Sequence, residues 1–162
     1  MAYVFTLPIR IAQAVLSIII LGLTAYIIDT FSTPFGSFSP DSVDFMLFTS
    51  LWTLLAVGYL VFVAMMPDRI PVIAHKYAVA AVEAVTMIFW FAAWVAVAAK
   101  WGDINWPDGY EHPAWWSSGV AAIVFGCIVW LTFVATTVMS ALHIRNSARS
   151  DTAPPPQQMQ AV

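Results

Sequence analysis

Four apolar runs dominate the chain: Ile11–Ile28, Phe45–Met66, Tyr77–Ala99 and Gly119–Leu142. Each reaches the roughly 20 residues that an α-helix needs to cross a hydrocarbon core of about 30 Å. In lipid, a segment must satisfy its own backbone hydrogen bonds, which a helix does. The runs therefore predict an all-α membrane protein, a four-transmembrane-helix bundle with helices near 9–28, 42–66, 75–100 and 116–143. Of the 162 residues, 61% are apolar and 9% charged, with a mean hydropathy of +0.82. Soluble domains carry roughly 25% charged residues. Residues 1–28 are too long an apolar stretch for a signal peptide, and no small-residue cleavage site follows them.

The interruptions carry turn chemistry. "STPFGSFSPDSVD" holds Pro34, Gly36 and Pro40, "PDRIP" brackets a short turn with Pro67 and Pro71, and "WGDINWPDGYEHPAWW" combines turn residues with tryptophan. Ser39-Pro40-Asp41 reads as an N-cap, a first-position proline and a carboxylate suited to the helix dipole. Residues 1–145 form one domain on this reading. Residues 146–162, polar and proline-rich, form a disordered tail in the cytoplasm. Arg10, Arg69, Lys76, Arg145 and Arg149 fall on one side of the four spans and Lys100 alone on the other. The positive-inside rule then places both termini in the cytoplasm. Trp101, Trp106, Trp115 and Trp116 belong to the outer interface, as belt residues, and Tyr77 to the inner one.

One carboxylate interrupts this pattern. Glu83 lies six residues beyond Tyr77, about 9 Å into the membrane at roughly 1.5 Å per residue. A charge at that depth costs on the order of 1–3 kcal/mol on insertion scales, so a partner is expected. Arg10 and Gln13 start the first helix at the same face, one turn apart. Side chains on both outward-running helices lean back towards that surface. Tyr59, Thr136, Thr137 and Ser140 sit near the same level. Three readings stand open. Arg10 and Glu83 form an ion pair, supported by Gln13 or Tyr59, that ties the first helix to the third. Alternatively, Glu83 reaches up to the headgroups and Arg10 marks the interface. In the third reading Glu83 is a proton or cation site.

The third helix has two faces. Glu83, Met87, Trp90 and Trp94 make one stripe at helical spacing; Ala81, Ala92, Ala96 and Ala99 lie near the opposite side. Gly119, Ala122 and Gly126 add small residues on the fourth helix. Small residues let helices approach closely, inside the bundle or between copies of the chain. His75, His112 and His143 sit at membrane edges, which disfavours a haem pair. The lone Cys127 forbids an internal disulfide, and no HExxH, phosphate loop or Ser/His/Asp set is evident. No enzyme activity and no cofactor follow from these residues, and without a basic cluster no nucleic-acid partner does. Ser147, Ser150 and Thr152, beside Arg145 and Arg149, are candidate phosphorylation sites.

The order of these features resembles the MARVEL domain, particularly the small fungal MARVEL-like proteins. The resemblance is carried by "RIAQAVLSIIILGLTAY" at 10–26, "EAVTMIFWFAAWVAVA" at 83–98 and "FGCIVWLTFVATTVMSAL" at 125–142, and covers residues 5–145. It implies a multi-pass protein of the plasma membrane or of endomembranes and vesicles. Such a protein organises membranes or assists trafficking through lipid and helix contacts, as a homo-oligomer or with other membrane proteins. The competing expectations are a small ion- or proton-coupled transporter or channel built on Glu83, and an accessory subunit of a membrane complex.

Overall fold

The computed structural model describes residues 2–33, 36–37, 40–65, 72–105, 107, 109 and 111–151. Four helices make up nearly all of it: α1 Ala2–Phe31, α2 Asp41–Met65, α3 Val72–Gly102 and α4 Ala114–Asp151. Each contains a span long and apolar enough to cross a membrane: Leu7–Phe31, Asp41–Met65, Tyr77–Gly102 and Ala114–Asn146. A small antiparallel pair, β1 Ser32–Thr33 and β2 Gly36–Ser37, tightens the connection from α1 to α2. The carbonyl of Pro40 accepts the amides of Val43 at 2.8 Å and Asp44 at 3.2 Å, which starts α2 at Asp41. Ser39, the expected cap, lies outside the described residues, as do the 66–71 turn, Trp106 and the tail from Thr152 onward.

Three boundaries differ from those expected. The first helix begins at Ala2 and runs through Pro8, which deletes one main-chain donor in its second turn. The third begins at Val72, immediately after Pro71, and not near 75. The fourth continues to Asp151, so residues 146–151, assigned to the tail, are helical. Their sequence, Asn-Ser-Ala-Arg-Ser-Asp, contains no proline or glycine, and the helix meets no breaker before Pro154.

The helices close into a ring. α1 packs on α2 and α4, and α3 packs on the same two helices, so α1 and α3 face each other across the diagonal. Ile20, Met46, Val57, Trp90, Val129 and Phe133 fill the middle. The expected stripe on α3 points inward: Glu83 and Trp90 are fully buried, and Met87 and Trp94 are partly so. Lipid tails are as apolar as leucine, so burial of apolar area does little to hold these helices together. Close packing and interhelical hydrogen bonds do that instead.

Close packing is sharpest at two glycines of α4. A Cβ on Gly119 would fall 2.3 Å from the Trp101 ring, and one on Gly126 would fall 2.8 Å from the Met46 methyl. Ala122 between them is also buried. This face of α4 is therefore taken up inside the bundle. Ala81, Ala92 and Ala99 on α3 are exposed, with Ala96 at the margin. They lie towards the outside of the bundle, on the side of α3 away from Trp90.

Candidate functional site

Near one end of the bundle, the polar side chains of three helices meet. Arg10 Nη2 donates to Glu83 Oε1 in a buried salt bridge, and Arg10 Nη1 donates to Gln13 Oε1 at 3.0 Å. Ser140 Oγ donates to the second carboxylate oxygen, Glu83 Oε2, at 2.5 Å. Gln13 Nε2 reaches Thr132 Oγ1 at 3.3 Å. Glu83 is 1% exposed, Gln13 0% and Arg10 8%. The carboxylate is therefore shared between a guanidinium from α1 and a hydroxyl from α4, while its backbone belongs to α3.

Of the three readings of Glu83, the observed geometry is the ion pair. A carboxylate that is 1% exposed does not reach out to headgroups. Gln13 supports the pair as expected. Tyr59 does not: it is 40% exposed and lines a shallow groove of about 200 Å³ with Trp52, Leu55, Ala56 and Val82. Helix periodicity explains the difference, because Leu60 takes the inward position on that turn of α2. Thr136 bonds the Phe133 carbonyl of its own helix at 3.2 Å, and the Thr137 hydroxyl is buried without a partner. Thr132, Thr136 and Ser140 recur every four residues on α4. That spacing was the available signal for Thr132 and for the role of Ser140, neither of which the sequence reading assigned.

A second polar layer crosses between α2 and α3. Trp90 Nε1 donates to Thr53 Oγ1 at 2.8 Å, and Trp52 Nε1 donates to Thr86 Oγ1 at 3.1 Å. Each threonine hydroxyl in turn donates a hydrogen bond to a carbonyl one turn back, Thr53 to Thr49 and Thr86 to Val82. Each helix thus gives one indole and receives one. Ser17, Thr24, Thr49 and Ser50 likewise donate to carbonyls four residues back. This back-bonding lets buried hydroxyls sit within the bundle without an interhelical partner.

At the far end, aromatic side chains close the bundle. Trp101 is 5% exposed, stacks on Trp116 at 6.2 Å, and donates to the Trp116 carbonyl at 3.4 Å. Trp115 meets Phe31 edge to face at 5.3 Å, and His112 stacks on Trp116 at 5.7 Å. Trp101 was expected as a belt residue; the gap left by Gly119 draws it into the bundle instead.

A ring of four spanning helices, sealed by polar bonds within and apolar without, defines a multi-pass integral membrane protein whose surface is in contact with lipid. The family model described as the MARVEL membrane-associating domain matches residues 3–139. The chain belongs to the MARVEL family. No curated protein and no solved structure matches it.

Proposed function

We propose that this protein organises membranes, or assists vesicle trafficking and lateral domain formation, through lipid and helix contacts and without enzymatic chemistry. One observation carries the reading. The charged pair is matched within the bundle and most buried hydroxyls bond carbonyls of their own helices, while large apolar side chains face outward on all four helices. Ile18 on α1, Leu55 on α2, Ile88 on α3 and Leu131 on α4 are each more than half exposed. A rigid body with such a surface interacts sideways, with lipids and with other helices.

Beyond the Arg10–Glu83 cluster, fully buried Ile20, Trp90 and Phe133 fill the section of the bundle that a conducting path would have to cross. This supports a structural role for the carboxylate over the transporter alternative. The outward-facing Ala81, Ala92 and Ala99 are the proposed contact face for a second copy or another membrane protein. The excess of Lys and Arg at the Arg10 end supports cytoplasmic termini.

The test is reconstitution of labelled protein into giant vesicles of mixed lipids, with clustering and partition followed by fluorescence. Wild type is expected to cluster, and Ala92→Leu with Ala99→Leu to disperse it. Proton flux in proteoliposomes that Glu83→Gln abolishes would replace this reading with transport.

A further inference from the structure

At the end of the bundle away from Glu83, all four helix ends contribute to one half-open cavity of about 290 Å³. Phe31 ends α1, Pro40 precedes α2, Lys100, Trp101 and Ile104 lie at the end of α3, and Trp115 opens α4. Ligand pockets commonly span roughly 300–1,000 Å³, so this one has room for a headgroup and not for a whole lipid. Its depth suits a headgroup too, because the spans of α3 and α4 stop and start here, at Gly102 and Ala114.

The wall chemistry is specific. Phe31 and Trp115 stand at 66°, and Trp101 and Trp115 at 79° with centroids 6.1 Å apart. Side chains from three helices thereby line one space, with Trp101 packed behind it against Trp116. Aromatic faces attract cations, and quaternary ammonium groups most characteristically. Lys100 supplies an exposed positive point charge at the rim, of the kind that binds phosphate. Asp29, Asp41, Asp103 and Glu111 at this same end are exposed and acidic. A bare anion meets those carboxylates, and a bare cation meets Lys100. A zwitterion with a quaternary ammonium satisfies both.

We propose that this cavity binds the phosphocholine headgroup of a bilayer lipid, with the ammonium against Phe31 and Trp115 and the phosphate at Lys100. The proposal deepens the reading of lipid contact given above, but it does not require that the bound lipid drive clustering.

The experiment is native mass spectrometry of the full chain released from maltoside micelles. Phosphatidylcholine, phosphatidylethanolamine and phosphatidylglycerol with identical acyl chains are supplied at equal concentration. A cation–aromatic contact corresponds to about two- to thirtyfold in affinity, so phosphatidylcholine should be retained at least about twofold over phosphatidylethanolamine. Trp115→Leu should bring that ratio close to one. Lys100→Met, a change at an exposed side chain, should lower retention of both zwitterionic lipids severalfold. Equal retention of the two zwitterionic lipids by wild type overturns the proposal. So does stronger retention of phosphatidylglycerol, or indifference to Lys100→Met. Loss of clustering with the choline preference intact would count against membrane organisation and leave this site standing.

Discussion

Arg10 and Glu83 are paired across the diagonal of the ring, from two helices that are not neighbours in it. Neighbouring helices in lipid have close packing to hold them, whereas the diagonal pair of helices has the ion pair and its hydrogen bonds. Removing one partner leaves the other charge buried, which in protein interiors costs about 3–5 kcal/mol. Glu83→Gln and Arg10→Gln should each lower stability by an amount of that order. The double substitution should be no worse than either single. Unfolding of all four proteins in a detergent mixture measures this directly, and additive losses would contradict the pairing.

The exchange of indoles between α2 and α3 is a second clamp, independent of the first. Interhelical hydrogen bonds in membranes average about 0.6 kcal/mol and reach about 1.7 kcal/mol. Thr53→Val keeps the shape but leaves the Trp90 N–H, fully buried, without its acceptor. It should cost an amount near the top of that range. Thr86→Val should cost less, because Trp52 is only partly buried and its bond is longer. Equal effects, or none, would show that packing and not hydrogen bonding sets the α2–α3 contact.

The sequence exposed most of this architecture because lipid makes unusually strict demands on it. Four spans were legible from the length of their apolar runs, and Arg10, Gln13 and Glu83 from their depth in those runs. What stayed hidden depended on the angular position of side chains around each axis. Tyr59 and Leu60 are adjacent and at the same depth, yet only Leu60 turns inward. The alanines of α3 and the glycines of α4 look equivalent as small residues. Only the crossing of helices reveals that Gly119 accommodates Trp101 while Ala81, Ala92 and Ala99 face out. The end of α4 lies beyond the expected one because a polar stretch without a helix breaker, as in residues 146–151, can stay helical.

Gly119 offers a direct reading of that packing. An alanine methyl there would overlap the Trp101 indole, which is itself wedged against Trp115 and Trp116 and has little room to retreat. Overpacking of this kind costs about 1–3 kcal/mol. Gly119→Ala should therefore destabilise and shift tryptophan emission by moving Trp101. Gly126→Ala meets the flexible end of Met46 and should be milder. If Gly119→Ala matches wild type in both stability and emission, Trp101 does not occupy that gap.

Gly22 poses the opposite question. It sits mid-span on α1, exposed, with nothing within 4 Å of where a methyl would be. Glycine in a helix interior is disfavoured relative to alanine by about 0.8–1.0 kcal/mol. If this face meets only lipid tails, Gly22→Ala should stabilise the isolated bundle by roughly that amount and leave oligomer size unchanged. If a second helix packs closely against Gly22, the methyl stands in its way. The isolated bundle would still gain stability, but self-association measured by single-molecule photobleaching in nanodiscs would fall. The two measurements together separate a lipid-facing glycine from a contact surface. They would also show whether lateral association runs through α1 or through the alanine face of α3.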